Sequence, residues 1–271
     1  MNSTPYAKKK FGQNFLKSSS ALEKIVRVAG LSNTDTVLEI GPGRGALTKK
    51  LLESGAQVRA LEIDPDMIEI LEEKFEEEIR SRRLQIFEGD IEKISPHELI
   101  DAPYKLVANI PYYITGLIIK KFLESDHQPT SMTLLVQKEV AERIVDGSEG
   151  GKNRSKENIL SLSVKVFGNV RYVATVPAAA FNPAPRVDSA IIHISDISQE
   201  RLNNAGITVS DFFTLVKAGF AQKRKTLRNN LVQKGYEKHA IEQTLETMNI
   251  DIRIRAEDLT LDQWIELART L

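Results

Sequence analysis

The sequence predicts an α/β fold, a largely parallel sheet covered by helices on both faces, followed by a small all-helical C-terminal domain. Three observations predict it. Short apolar runs of strand length alternate with helix-periodic segments through the first two thirds of the 271 residues. A glycine-rich turn joins the first of these strands directly to the first of these helices. After Ser195 no strand candidate remains, and each patterned segment has helical spacing.

In chain order, the strands are Thr36–Ile40, Val58–Ile63, Leu84–Phe87, Tyr104–Ala108 and Met132–Val136, apolar enough to be buried on both faces. Between them Ala46–Glu53, Asp66–Arg80, Thr115–Glu124 and Glu139–Val145 repeat apolar residues at helical spacing. Pro65 stands at the start of the second helix, where its missing N–H costs nothing. Asp146–Ser155, rich in Gly, Ser and Lys, reads as a mobile loop. Val170–Val176 and Val187–Ile194 read as two further strands, joined by the Pro-rich turn Pro177–Pro185 and suited to a hairpin at the end of the sheet. Helices are then expected over Asp211–Gln222, Lys225–Lys234, Lys238–Met248 and Leu261–Leu271. A boundary near residues 196–208 divides a domain of residues 1–200 from one of 201–271.

Composition excludes several classes. No run of about 18 uncharged apolar residues exists, and Met1–Lys10 is basic with no apolar run behind it, which argues against membrane spanning and secretion. Cysteine is absent, so disulfides and thiolate metal sites are excluded. A cytoplasmic protein without a metal is expected, and with no unusual apolar stripe it is expected to be a monomer. Lys and Arg balance Asp and Glu at 37 each, so affinity for a polyanion must come from local segregation of charge. Lys217–Lys238 carries seven basic residues against one Glu, whereas Glu62–Glu78 carries nine acidic residues against one Lys.

Three groups of residues carry chemistry. Glu39-Ile40-Gly41-Pro42-Gly43-Arg44-Gly45 lets the backbone turn tightly and approach a ligand, and with Glu62 at the end of the next strand it satisfies a dinucleotide fingerprint. Either a nicotinamide dinucleotide or an adenosyl-sulfonium cofactor fits that loop alone. In a parallel sheet, however, Gly41, Glu62, Asp90 and Asn109 share one crevice at the carboxyl ends of the strands. There Glu62 and Asp90 can accept from ribose hydroxyls and an adenine amine, while Glu39 lies near a cationic sulfonium and disfavours a pyrophosphate. The tetrapeptide Asn109-Ile110-Pro111-Tyr112 closes the fourth strand with an amide, a proline that fixes the turn and an aromatic face, parts suited to a planar amine.

These motifs, together with Gln13-Asn14-Phe15-Leu16, Phe181–Ser189 (FNPAPRVDS) and Arg224–Leu231 (RKTLRNNL), resemble the KsgA family of ribosomal RNA adenine N6,N6-dimethyltransferases from about Lys8 to the C-terminus. The resemblance implies a Rossmann-like S-adenosylmethionine-dependent methyltransferase sheet. It further implies dimethylation of two adjacent adenosines in the 3′-terminal hairpin loop of 16S rRNA, within the immature 30S subunit. By the same resemblance Asn14 and Leu16 close over the cofactor, and Gly41, Glu62, Asp90 and Asn109 supply its other contacts, with Gly43 in the loop. Adenine N6 is a poor nucleophile, so acceptors must hold it as it pyramidalises; Asn109 and the Ile110 carbonyl suit that role beside Pro111. Tyr112 and Phe181 are expected to stack on the two faces of the flipped base. No dedicated base is expected, since His97, His127, His193 and His239 lie outside the motifs. Lys223, Arg224, Lys225 and Arg228, with Lys8–Lys10, are expected to bind RNA phosphates along a groove.

The chain departs from the family over Ser155–Ser163, where many members carry a Tyr-Gly pair. Competing readings are a macrolide-resistance type 23S rRNA adenine methyltransferase, a non-catalytic ribosome-assembly factor, and a dehydrogenase, which leaves the tetrapeptide unexplained.

Overall fold

A computed structural model describes residues 12–145 and 156–271; Lys8–Lys10, Phe11 and the loop expected over Asp146–Ser155 lie outside them. Among the described residues the chain forms two compact units, and no helix is long and apolar enough to cross a membrane. Of the described residues, the first unit takes in Gly12–Ala141 and Val170–Ile197, the second Glu142–Val145, Lys156–Asn169 and Ser198–Leu271. Glu142–Val145 and Lys156–Asn169, which the sequence reading kept with the sheet, thus group with the helices.

The first unit carries β1 (Phe15–Leu16), α1 (Ser19–Ala29), β2 (Thr36–Ile40), α2 (Ala46–Glu53), β3 (Gln57–Glu62), α3 (Pro65–Lys74), α4 (Glu76–Arg80), β4 (Leu84–Glu88), α5 (Pro96–Leu99), β5 (Lys105–Asn109), α6 (Thr115–Leu123) and β6 (Ser131–Gln137). After α7 (Lys138–Val145) and α8 (Ile159–Lys165) come β7 (Asn169–Val176), β8 (Phe181–Asn182) and β9 (Ser189–Ser195). The main sheet runs β4-β3-β2-β5-β6-β9-β7, with β4 to β6 mutually parallel and β9 antiparallel to β6. The chain runs outward from β2 to β4, then returns to lay β5 on the other side of β2. That reversal opens a crevice beyond the carboxyl ends of β2 and β5. The two strands expected to form a hairpin are neighbours, with β7 at the edge.

Local chemistry explains most boundaries. Ser18 caps α1 through the Ala21 amide, and Gly30 ends it in the left-handed region at φ 57°. The expected helix over Asp66–Arg80 is instead two helices, because Phe75 leaves helical dihedrals (φ −121°, ψ 33°) and buries its ring. Gly45 makes room for that ring: a Cβ there would lie 2.5 Å from Phe75 Cε2, on a backbone at φ 71° that itself favours glycine. Sequence periodicity saw the helical spacing and not the tertiary pull on one aromatic ring.

In the second unit α8 is followed by α9 (Glu200–Ala205), α10 (Val209–Gly219), α11 (Leu227–Gln233), α12 (Lys238–Thr247) and α13 (Leu261–Thr270). Helix α8, read from sequence only as a departure from the family, starts at a capping box in which Asn158 and Ser161 bond each other's amides. A buried pair, Lys165 with Glu157 at 3.0 Å, joins its ends. The expected helix over Lys225–Lys234 begins later, at Leu227, because Thr226 caps it by accepting from the Asn229 amide. Lys223, Arg224 and Lys225 therefore lie on a turn. Asn230 holds that turn: its buried amide donates to the Gly219 carbonyl at 2.6 Å and the Gln222 carbonyl at 3.1 Å.

Gly219 also sets how closely α10 and α13 pack, since a Cβ there would stand 2.4 Å from Trp264 Cη2 and 2.8 Å from Leu227 Cδ1. In an open helix Gly→Ala gains up to about 1 kcal/mol. Here overpacking, typically about 1–3 kcal/mol, wins. Gly219→Ala is expected to lower the melting temperature in a thermal scan, and an unchanged or raised value would refute this packing argument.

Candidate active site

The crevice is a cleft walled by the loops that end β2, β3, β4 and β5 and roofed by Gly12–Leu16 and Phe181. Asn14, Leu16, Glu39, Gly41, Gly43, Glu62, Asp90, Asn109, Ile110, Pro111, Tyr112 and Phe181 all line it. Twelve positions scattered from 14 to 181 in sequence thus meet at one place.

Glu62 organises the floor. One carboxylate oxygen accepts from the Gly43 amide at 2.9 Å, and the other accepts from the amides of Ile63 at 2.9 Å and Asp64 at 3.0 Å. Burial pushes its pKa up, and the three amides pull the other way by stabilising the charge. A carboxylate offers about four acceptor sites, so Glu62 retains capacity for a ligand hydroxyl while it clamps the glycine loop. Asp90, partly exposed, accepts from the Glu92 amide at 3.0 Å through one oxygen and leaves the other to the cleft.

Glu39 is different. It is 1% exposed, and neither oxygen has a hydrogen-bond partner among the described residues. Burial pushes its carboxyl up to about 8; the Thr48 hydroxyl and amide beside it oppose this, the Glu62 charge adds to it, and Lys74 opposes it. A buried carboxyl left without a partner in a cleft wall fits a ligand that brings a positive charge.

The roof rests on a contact that sequence reasoning missed. Strand β1 pairs antiparallel with β8, Phe15 opposite Asn182 and Leu16 opposite Phe181. Phe15 lies against Gly43, where an added Cβ would stand 3.0 Å from its ring, and the Arg44 guanidinium sits 4.6 Å from the ring centre. Two-residue strands have no periodicity, so no sequence signal marks this pairing. Asp188 shapes the turn that carries Phe181, accepting from the Ala178 amide at 2.9 Å.

The tetrapeptide has a defined orientation. Asn109 Nδ2 donates to the Asn14 carbonyl at 3.3 Å, so its side-chain oxygen is left as an acceptor. The Ile110 amide donates to the Leu135 carbonyl, whereas the Ile110 carbonyl accepts no hydrogen bond among the described residues. Tyr112 is fixed by a 2.7 Å hydrogen bond between its hydroxyl and that of Ser189. Tyr113, next in the chain, also lines the cleft and is 67% exposed; it was not singled out in the sequence because it follows a stronger motif.

The basic residues belong to the second unit. Lys223 and Arg224 are exposed and Lys225 partly so, and the three make no ion pair among the described residues. Arg228 is held at 3.0 Å by Glu242, which offsets its charge and weakens the case for it as a phosphate ligand. Of the histidines, His97 and His127 stack on each other at 4.6 Å, and His193 Nδ1 bonds the Thr133 hydroxyl, all away from the cleft.

Glu39 has a measurable consequence for folding. Between about 4.5, its ordinary value, and about 8 the unfolded carboxyl is ionised while the folded one stays protonated, so stability falls as pH rises through that window. Glu39→Gln removes the penalty. It should stabilise the fold at pH 8 and above by an amount on the order of a few kcal/mol, read as a higher melting temperature, and leave it nearly unchanged near pH 4.5. A pH-independent difference between the two proteins would refute the protonated state.

Comparison with known proteins agrees with the cleft. Residues 5–271 match the family described as ribosomal RNA adenine dimethylase. Relatives named ribosomal RNA small subunit methyltransferase A include one from Dehalococcoides mccartyi (strain CBDB1), 44% identical over 96% of this chain and 87% of its own. Another, from Fusobacterium nucleatum, is 40% identical over 97% and 96%. Among solved structures, a dimethyladenosine transferase from Plasmodium falciparum superposes with a TM-score of 0.76 at 28% identity over 93% of this chain and 95% of its own. The 23S rRNA methyltransferase ErmE gives 0.74 at 25% identity over 95% and 99%. With a match of that extent and a cleft of this construction, the chain belongs to the ribosomal RNA adenine dimethylase family.

Proposed function

We propose that the protein transfers methyl groups from S-adenosylmethionine to N6 of two adjacent adenosines in the 3′-terminal hairpin loop of 16S rRNA, acting as a cytoplasmic monomer on the immature 30S subunit. The observation that carries the reading is the Asn109 amide. Its nitrogen is committed to Asn14, so the acceptor oxygen is free for an amine presented beside Tyr112. A base amine is the group that needs such an acceptor.

The residues present fit the cofactor. Glu62 and Asp90 retain acceptor capacity for ribose hydroxyls and an adenine amine, Gly41 and Gly43 let the backbone approach, and Glu39 supplies an uncompensated carboxyl to a cation. Asn14 and Leu16 close the site from the roof. When bound, S-adenosylmethionine supplies an electrophilic methyl group.

The protein's own part is to hold and orient the amine. The Asn109 oxygen and the Ile110 carbonyl accept its two N–H bonds and favour a pyramidal nitrogen, whose lone pair is then free of the ring. Pro111, with no N–H, adds no competing donor and fixes the turn. Tyr112 and Phe181 stack on the flipped base, each stack being worth about 1–3 kcal/mol. Proton loss follows transfer and uses no dedicated base, in keeping with catalysis by positioning. The ErmE likeness makes 23S rRNA the alternative target, but the relatives at 40–44% identity carry the small-subunit name.

Labelled S-adenosylmethionine incubated with immature 30S subunits, followed by mass-spectrometric mapping, should place label on two adjacent adenosines of the terminal hairpin. Label on large-subunit RNA, or none, would sink the assignment. In the same assay Asn109→Ala should cut transfer by at least 100-fold, roughly the loss of one transition-state acceptor, while cofactor affinity changes little. Replacing Lys223, Arg224 and Lys225 together by Glu should weaken subunit binding and flatten its dependence on salt by roughly two to three units of log–log slope. An unaltered slope would place the RNA elsewhere.

A further inference from the structure

We propose that Glu39 is the residue by which the cleft tells the cationic methyl donor from its neutral sulfide product: it binds the donor as a carboxylate and gives up a proton to do so. The inference rests on S-adenosylmethionine being the donor.

Donor and product share the adenosine and the amino-acid ends, and differ by one methyl group and one positive charge at sulfur. The polar contacts offered by Asp90, Glu62 and the glycine loop address the shared parts. A group that senses the charge must be ionisable, desolvated and without a counter-ion bonded to it. Glu39 meets all three conditions, at the end of β2 two residues before Gly41, inside the cleft wall and 1% exposed.

Its surroundings do not discharge it. From α2 the Thr48 hydroxyl stands beside it, itself buried and with no hydrogen-bond partner among the described residues. From β3 Glu62 contributes a like charge, and beyond it Asp64 acts on Glu62 in the same sense. From α3 the Lys74 ammonium is attractive, but it is committed to the Arg44 carbonyl at 2.9 Å and the Gly45 carbonyl at 3.4 Å. Arg44, in the cleft wall, lies over the Phe15 ring. The compensating charge has to arrive with the ligand.

Free protein at neutral pH therefore carries Glu39 protonated, in keeping with a carboxyl pushed up to about 8 by burial. Binding of a cation expels that proton, and binding of the neutral product leaves it in place. Once sulfur has lost its charge, the ionised form of Glu39 is no longer compensated, it takes a proton back, and the advantage of the charged ligand is gone.

Calorimetric titration of the full chain with S-adenosylmethionine and with S-adenosylhomocysteine, in buffers of different ionisation enthalpy, counts the protons directly. At pH 7 the donor should release close to one proton and the product close to none. Donor affinity should rise about tenfold per pH unit below the Glu39 titration and level off above it, while product affinity stays flat. Glu39→Gln should abolish both the proton release and the pH dependence, with retained S-adenosylhomocysteine binding showing that the variant is folded. Equal release by both ligands would place Glu39 against the ammonium group they share and overturn the proposal, as would release by neither in the wild-type protein. If neither ligand binds at all, the methyltransferase reading fails first, an outcome distinct from binding without a difference in protons.

Discussion

The Glu62 carboxylate is the interaction on which the rest of the site depends. By accepting from Gly43 on the loop after β2, and from Ile63 and Asp64 on the loop after β3, it ties two strand ends into one floor. Charge-assisted bonds to backbone amides are stronger than neutral ones, and here they are made out of water. Asp64, whose amide Glu62 holds, in turn caps α3 through the Asp66 amide, so the same carboxylate sets where α3 begins. A carboxylate in this position therefore has a structural share of its own, and loss of Glu62 would disturb the loop before it touched any ligand.

The roof follows from the floor. Gly43, held by Glu62, presents a surface without a Cβ to Phe15, and Phe15 and Leu16 are paired with Asn182 and Phe181. Floor and roof of the cleft are thus built on one continuous set of contacts, from Glu62 through Gly43 and the Phe15–Leu16 strand to Phe181. Asn109 joins the set from the other side, through its bond to the Asn14 carbonyl. The order of the roof and the orientation of the Asn109 amide are for this reason one question and not two.

What was legible in the sequence was what local chemistry determines. Strands β2, β5 and β6 are apolar on both faces and could be read as buried, and the Gly41–Gly45 turn announced the crevice because a strand that turns into a helix over glycines has few other uses. The split of α3 from α4 was not legible, since it depends on where Phe75 finds space. Neither was the β1–β8 pair, which rests on two residues and a partner more than 160 positions away. Lys225 was recognised as basic but assigned to a helix, because the capping role of Thr226 is visible only against Asn229. Arg228 lost standing for a similar reason: the Glu242 that offsets it lies on another helix. Glu39 was legible as an acid beside the glycine turn, yet nothing in its neighbours along the chain reveals that its two oxygens have no partner.

The tetrapeptide carries a constraint that the geometry makes sharper. With Asn109 Nδ2 bound to Asn14, the amide cannot rotate to exchange acceptor for donor, so it offers one oxygen throughout. The Ile110 carbonyl is fixed by the strand it closes. If the two oxygens hold the amine as proposed, an unmodified adenine has two N–H groups for them, but after one methyl is added it has one. In the second transfer one acceptor must stay unsatisfied, a cost of about 1–3 kcal/mol if it is shut away from water. The amine also has to turn about its bond to the ring to bring its lone pair back toward the donor. Tyr112 is tethered through Ser189, so on the same reading the base would slide on a fixed ring. On that reading, dimethylation on this scaffold requires the first methyl to find room on the side of the acceptor that gives up its hydrogen bond.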